Sequence, residues 1–307
     1  MKNVLILGYD GMLGSMVYDF LSWNNNLNLA LTYFNTKIET NIMHRDFLVH
    51  FLDASGNPQE RLHLLLSEIN PDYIINCIGI IKPYCRDDDR IGVLRAIEVN
   101  ARFPHLLSDL SWQVNPKTRI IQIATDCVFD GIKGKYCEDD LHNALDVYGK
   151  TKSLGEVKCN NFLNIRCSII GPELYNKLSL FEWFLAHNDK DKVIGYDHHI
   201  WNGVTTLQFA QFCEKIIIND LFDAFVANKS LIHLVTNDSV SKYKLLNILN
   251  NVFNRDIQIE LTNEVGDPID RSLTSTRYPI DVKPMEYAIM ELKQDLMESK
   301  LYNKSSH

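Results

Sequence analysis

The residues best suited to chemistry lie in Val147-Tyr148-Gly149-Lys150-Thr151-Lys152. Positions four apart share one face of a helix, so Tyr148 and Lys152 fall side by side while Lys150 does not. An ammonium beside a phenol favours phenolate and pulls a group of ordinary pKa about 10 toward neutral pH. Such a phenol can exchange a proton with a carbonyl or alcohol oxygen. An exposed Tyr and Lys on a surface helix would show the same spacing, so its meaning depends on context. That context is Thr125, which ends the apolar run Ile120-Ile121-Gln122-Ile123-Ala124. A hydroxyl at the carboxyl end of a buried parallel strand faces the ligand crevice, where it is predicted to hydrogen-bond a substrate oxygen while Tyr148 moves the proton.

A second constellation opens the chain. Val4-Leu5-Ile6-Leu7 runs into Gly8-Tyr9-Asp10-Gly11-Met12-Leu13-Gly14, a G-x-x-G-x-x-G spacing at a strand-to-helix turn. Gly8 permits the tight turn, Gly11 lets a pyrophosphate approach the amides of the helix start at Met12 and Leu13, and Gly14 lets that helix pack closely on the sheet. The expected ligand is a dinucleotide. Asp10 would repel a pyrophosphate unless it caps the helix or points to solvent. Where an NAD-selective domain carries an acid, this chain has Tyr33-Phe34-Asn35-Thr36-Lys37. Lys37 and the donor at Asn35 admit a 2′-phosphate, so NADP(H) is preferred and NAD(H) stays open; Lys37 equally reads as a solvated loop lysine. Beyond Phe51-Leu52, Asp53 accepts from an adenine amino group or caps a turn, with Ala54 beside it.

These groups need a scaffold, and the first half of the chain supplies its rhythm. Short β-rich runs (Asn3 to Leu7, Leu27 to Tyr33, Tyr73 to Cys77, Arg119 to Ala124, Phe162 to Arg166) alternate with helical stretches (Met12 to Leu21, Pro58 to Ile69, Val93 to Leu110, Val147 to Val157). That alternation predicts the α/β class: a Rossmann-type doubly wound parallel sheet with a smaller C-terminal substrate-binding lobe. The expected division is a dinucleotide-binding domain over 1–170 that carries the catalytic residues, a lobe over 171–297 from which some segments return to the sheet, and a flexible tail over 298–307.

Composition agrees with a globular enzyme. The chain has 307 residues, 46% apolar and 23% charged, with 31 Lys and Arg against 39 Asp and Glu for a net charge of −8. Disorder and coiled coil drop out, and an acidic chain without a basic run is not expected to bind nucleic acid. The run Val4 to Leu7 is far short of a membrane helix, so neither anchor nor secretory signal is expected. Seven cysteines, an odd count without C-x-x-C, fit a reducing cytosol and predict a cytoplasmic protein; scattered histidines predict no metal site.

Together these segments resemble the extended short-chain dehydrogenase/reductase superfamily and, within it, the dTDP-4-dehydrorhamnose reductase-like group of nucleotide-sugar 4-ketoreductases. The resemblance rests on the glycine loop, Ile75-Asn76-Cys77-Ile78-Gly79-Ile80-Ile81-Lys82-Pro83, Ala124-Thr125-Asp126-Cys127-Val128-Phe129-Asp130-Gly131, and Tyr148-Gly149-Lys150-Thr151-Lys152. The lobe adds Asn164-Ile165-Arg166-Cys167-Ser168-Ile169-Ile170-Gly171 and Trp201-Asn202-Gly203-Val204-Thr205-Thr206. It implies that Thr125, Tyr148 and Lys152 are catalytic, that Cys77, Ile78 and Gly79 run along the cofactor with Asn100 in the helix behind it, and that Tyr148 and Lys152 also reach the nicotinamide end. The implied reaction is NAD(P)H-dependent reduction of a 4-keto-6-deoxyhexose on UDP or dTDP, 2-acetamido sugars included. Lys82, Asp126, Ser168, Arg166, Trp201, Asn202 and Arg271 become candidate substrate contacts, since arginine suits phosphate oxygens and tryptophan suits stacking. The resemblance also admits a homodimer, whose interface no residue pattern marks.

Three alternatives stay open. Cys127 occupies the offset at which GDP-fucose synthases carry an epimerising cysteine, and with His187 or His198 it would make the protein a bifunctional epimerase and reductase; a small core residue is the plainer reading. A non-catalytic NAD(P)-binding regulatory subunit is the second, against which the joint presence of Thr125, Tyr148 and Lys152 counts. A dehydratase is the third, and Asp126-Cys127 stands where such enzymes carry Asp-Glu.

Overall fold

A computed structural model describes residues 1–34, 48–175, 177–227, 229–278, 281–299 and 301–302. The chain opens with β1 (Lys2–Leu7), α1 (Met12–Leu21), β2 (Leu27–Tyr33), β3 (Leu48–Phe51), α2 (Gln59–Ile69) and β4 (Tyr73–Asn76). Helix α3 (Arg90–Ala96) passes through a π-helical segment (Ile97–Arg102) into α4 (Phe103–Val114), then β5 (Arg119–Thr125), α5 (Val147–Leu154) and β6 (Phe162–Cys167). After β7 (Ile169–Ile170) come α6 (Leu180–Leu185), β8 (Lys192–Tyr196), β9 (His199–Trp201), β10 (Val204–Thr205), α7 (Thr206–Ile218), α8 (Phe222–Val226) and β11 (Leu231–His233). The chain continues through β12 (Val240–Ser241), α9 (Lys242–Val252), β13 (Gln258–Thr262), β14 (Ile269–Asp270) and α10 (Met285–Glu298).

Seven strands form one parallel sheet in the order β11-β6-β5-β4-β1-β2-β3. The physical reason is visible in β1, where Val4, Leu5, Ile6 and Leu7 are all fully buried. Alternate side chains point to opposite faces. Val4 and Ile6 join a core with Leu13, Val17, Phe209 and Ile216 from α1 and α7, whereas Leu5 and Leu7 join Leu62, Leu66, Phe103 and Leu107 from α2 and α4. Burying both faces selects a parallel sheet under helices on each side, so the expected fold class is borne out. The strand order reverses between β1 and β4, and a crevice opens outside the carboxyl ends of the strands at that point.

The lobe and the sheet share structure: β11 pairs with β6, and α7 lies against α1. The lobe itself holds the pair β8 and β13, the pair β7 and β10, and β9 between β12 and β14. Part of the expected loose tail is packed instead. Tyr302 is buried, with its hydroxyl 2.9 Å from Ser15 Oγ on α1, because an aromatic ring there covers apolar surface that α1 would otherwise expose. Among the described residues, no helix is long and apolar enough to cross a membrane.

Candidate active site

A cleft of about 680 Å³ occupies the crevice. At one end the glycine loop forms its floor. Gly8 has a φ of +78° and its N–H donates to Thr32 Oγ1 (3.1 Å), while Tyr9 N–H donates to the Thr32 carbonyl (2.8 Å). A Cβ on Gly14 would lie 2.0 Å from the Gly8 carbonyl oxygen, so only a bare glycine lets α1 sit this close to the loop. Gly11 is the N-cap of α1 and no side chain caps that helix, although Gly11, Met12 and Leu13 line the cleft. An uncapped helix start facing a cleft attracts an anion. The Asp10 expectation is corrected: its carboxylate accepts from Phe34 N–H (3.0 Å) and ties the loop to the end of β2 instead of capping α1. Asp53 and Ala54 line the cleft as expected, and Asp53 Oδ1 also takes the N–H and hydroxyl of Ser55 (2.8 and 2.7 Å), which is the turn-capping role. Asn35 and Lys37 lie outside the described residues.

Along the middle, Cys77, Ile78 and Gly79 line the wall. Asn76 holds this strand end by donating to Gln122 Oε1 (2.7 Å) and accepting from Ile78 N–H (3.1 Å). Asn100 does not itself line the cleft. Its side chain pins the wall from behind, accepting from Ile80 N–H (2.8 Å) and donating to the Ile80 carbonyl (2.9 Å) and to Thr151 Oγ1 (3.3 Å). The π-helical segment carries Asn100, a widening of the kind often found where a helix presents a functional side chain. A Cβ on Gly79 would meet Asn100 Oδ1 at 3.6 Å and Lys152 Nζ at 3.9 Å, so three separate segments converge on this glycine.

At the far end the three expected catalytic residues share one wall. Thr125 Oγ1 accepts from Cys127 N–H and donates to Asp126 Oδ1, both at 3.1 Å, and the Tyr148 phenol lies beside the Thr125 side chain. Asp146 caps α5 by accepting from Gly149 N–H (2.6 Å) and pairs with Lys82 Nζ (2.7 Å), which stands 5.8 Å over the Tyr148 ring. The expected electrostatics are corrected here. Lys152 Nζ donates to the Ile123 carbonyl (2.9 Å), and burial lowers its pKa to about 8. Tyr148 is pushed well above the ordinary phenol range, first by burial and then by the neighbouring Cys127, with Thr125 pulling the other way and Asp126 adding to the rise. The helical spacing put the two side chains on one face, but the buried ammonium turned to the nearest carbonyl. Burial also raises Asp126, and it raises Cys127 to about 12, with the Asp126 charge adding to it.

No histidine among the described residues lines this cleft. His187 Nδ1 is 2.9 Å from the Trp183 carbonyl, and His198 stacks edge-on against Tyr196 and His199. Several expected substrate contacts are also corrected. Arg166 is fully buried and bonds Glu156 through Nε (3.0 Å) and Nη2 (2.8 Å), with His142 sharing Nη2 and His233 on Nη1. Asn202 is a buried clamp, accepting from Leu273 N–H (2.9 Å) and donating to its carbonyl (2.8 Å). Trp201 covers Gly203, where a Cβ would lie 2.1 Å from the indole. Each side chain suits a ligand contact, but burial assigns Arg166 and Asn202 to packing, and Trp201 is half-buried against the core. Arg271 donates to the carbonyls of Phe129 (3.1 Å) and Asp130 (3.3 Å) and places its charge near Asp126 and Cys127 without lining the cleft. Lys82, Asp126, Cys127 and Ser168 do line it.

The cleft adds residues the sequence reading missed, among them Thr32, Phe34, Tyr84, Arg95, Glu173 and Tyr175. Thr32 had a signal, the one aliphatic hydroxyl in the mostly buried run Leu27–Tyr33. Arg95 and Tyr175 come from segments remote in sequence and had none.

Comparison with known proteins agrees with this geometry. The model of the RmlD substrate binding domain family matches residues 1–294. A dTDP-4-dehydrorhamnose reductase of Aggregatibacter actinomycetemcomitans is 30% identical over 157 residues, 51% of this chain and 46% of that one, so the match spans about half of that relative. The methionine adenosyltransferase 2 subunit beta of Bos taurus is 24% identical over 272 residues, covering 82% of this chain and 72% of that one. Among solved structures, a Bacillus anthracis dTDP-4-dehydrorhamnose reductase in complex with NADP superposes with a TM-score of 0.74 at 17% identity, covering 97% of this chain and 99% of that one. A Clostridium acetobutylicum dTDP-4-dehydrorhamnose reductase gives 0.73 at 20% identity, covering 96% and 99%. The fold and the expected kinship are both borne out: the chain belongs to the RmlD substrate binding domain family, of the extended short-chain dehydrogenase/reductase type.

Proposed function

We propose that the cleft is the active site of an NAD(P)H-dependent reductase acting on the 4-keto group of a nucleotide-activated 4-keto-6-deoxyhexose, UDP- or dTDP-linked. The observation that carries this reading is the convergence of Thr125, Tyr148 and Lys152 on one wall of a cleft whose opposite end is a bare glycine loop. The described residues fit a dinucleotide: Gly11, Met12 and Leu13 offer amides to a pyrophosphate, Cys77 to Gly79 flank it, and Lys152 stands at the far end. When bound, a reduced nicotinamide supplies the hydride for C4 of the sugar. The protein's part is proton delivery and orientation. Tyr148, kept protonated by burial, gives its proton to the C4 oxygen. Thr125, turning its hydroxyl proton from Asp126 to the same oxygen, aligns it. Lys82, 5.8 Å over the Tyr148 ring, and Lys152, one helical turn on, are cations available to the resulting phenolate. Lys82 and Ser168 line the sugar side, with Arg271 behind them as a counter-charge for the diphosphate. We assign the preference to NADPH because the described end of β2 has Tyr33 and Phe34 where an acid would repel a 2′-phosphate.

The likeness to methionine adenosyltransferase beta subunits favours a second reading, a nucleotide-binding regulatory subunit of another enzyme. Supplying UDP- and dTDP-linked 4-keto-6-deoxy sugars with NADPH in deuterated water, and identifying products by NMR, separates the readings. A 4-hydroxy product without ring deuterium supports reduction alone. Deuterium at C3 or C5 assigns Cys127 an epimerising role. Cofactor binding without turnover of either substrate supports the regulatory reading.

A further inference from the structure

The adenosine end of the cleft contains a cation that no role has yet claimed. Arg95 sits in the last turn of α3, one helical turn before Val99, and both line the cleft. Its guanidinium lies 5.6 Å over the ring of Phe34, the residue that immediately follows β2. Phe34 is itself fixed from two sides: its N–H is held by Asp10 and its ring stacks on Phe51 at 6.2 Å. An aromatic face parked under a guanidinium limits where that charge can go, and it does so without neutralising it. Among the described residues, no carboxylate lies within ion-pair distance of Arg95, whereas Lys82, Arg86, Arg102 and Arg119 all have acidic partners.

The end of β2 is where a bound adenosine ribose comes to rest in this topology. A planar, permanently charged fork beside that point matches the chemistry of a phosphate monoester better than that of a neutral ribose hydroxyl. We propose that Arg95, seated on Phe34, forms the 2′-phosphate subsite of the cleft and is the residue that sets its preference for 2′-phosphorylated adenosine ligands. This inference rests on the dinucleotide reading of the cleft and adds a specificity residue to it. It also explains the chain's economy: α3 carries the charge, so the glycine loop and the end of β2 need no arginine of their own. Asp10 stays compatible with a nearby phosphate because its carboxylate is engaged by the Phe34 amide.

The test uses the full chain and two probes, ADP-ribose and 2′-phospho-ADP-ribose, titrated by calorimetry against the parent, Arg95→Gln and Arg95→Lys. A charge-assisted bidentate contact predicts that Arg95→Gln weakens the phosphorylated probe about 10- to 100-fold and leaves ADP-ribose within about twofold. Arg95→Lys should recover part of the loss, and rising salt should erode the parent's preference but not the variant's. Equal weakening of both probes by Arg95→Gln would make the arginine a stacking partner only and overturn the proposal. So would a parent preference that survives Arg95→Gln unchanged, which would place the determinant elsewhere. Both results leave the dinucleotide site standing; failure of the parent to bind either probe would remove that site as well.

Discussion

Replacing Asn100 by Ala tests whether the cleft wall is held from behind. The Asn100 side chain is 2% exposed and satisfies both backbone groups of Ile80 (2.8 and 2.9 Å) while also bonding Thr151 in α5. Alanine removes all three bonds and leaves a small polar void. A buried donor or acceptor that loses its partner costs about 1–3 kcal/mol. Ile80 is half-buried, so water recovers part of that, and the expected loss is about 2–4 kcal/mol. At roughly 1.5–2 °C per kcal/mol for a chain of 307 residues, Tm falls by roughly 3–8 °C. The same change loosens the segment bearing Gly79, which faces Lys152 Nζ, so ordering that segment is charged to ligand binding and NADPH affinity drops about tenfold. Differential scanning calorimetry and titration calorimetry read the two effects, and Asn100→Asp, which keeps the acceptor for Ile80 N–H, should fall between parent and Ala. An Asn100→Ala protein that melts within 1 °C of the parent and binds NADPH within about twofold would refute this reasoning.

Three further outcomes follow from the same geometry. Tyr148→Phe removes the proton donor and should lower kcat for ketone reduction by about 10²- to 10⁴-fold while leaving cofactor affinity within about threefold, measured by NADPH oxidation and by titration. Because burial holds Lys152 near pH 8 and Tyr148 above the ordinary phenol range, kcat/KM for reduction should be level at lower pH and decline as pH rises through about 8, where Lys152 loses its charge; a flat profile to pH 10 would contradict that assignment. Arg166→Met strands the buried Glu156 carboxylate and should cost about 3–5 kcal/mol of stability by denaturant titration. Refolded or ligand-stabilised Arg166→Met should keep the parent KM for nucleotide sugar, opposite to what a substrate-binding arginine would show.

Local patterns made the sheet legible. The uniformly apolar Val4 to Leu7, and Ile120 to Ala124 with Gln122 its one polar residue, could be buried only between two helical layers, and Gly8, Gly11 and Gly14 fall where a strand must turn tightly into a helix. Thr125 and Tyr148 were legible as cleft-lining residues because strand ends and helix faces fix where such side chains go. What the pattern could not show was competition for them. Lys152 is at the expected helical offset from Tyr148, yet its ammonium found the Ile123 carbonyl, a partner that exists only once β5 and α5 are docked. Arg166 sits two residues before Ser168, but its side chain turns to Glu156 and two histidines brought there by the turn after α5, β11 and the connection before α5. The π-helical turn at Asn100 likewise has no sequence signature; it is set by the Ile80 backbone groups it satisfies. Segments joined by long connections, such as those bearing Arg95 and Tyr175, meet in the cleft through topology alone.

The most direct test follows a label. NADPH carrying deuterium at the transferable C4 position is incubated with a 4-keto-6-deoxy nucleotide sugar in ordinary water, and the product is examined by NMR and mass spectrometry. The account predicts one deuterium at sugar C4, stoichiometric oxidation of the cofactor, and loss of both in the Tyr148→Phe protein. Cofactor binding with no deuterium at C4 and no oxidation, on UDP- and dTDP-linked substrates alike, would contradict it.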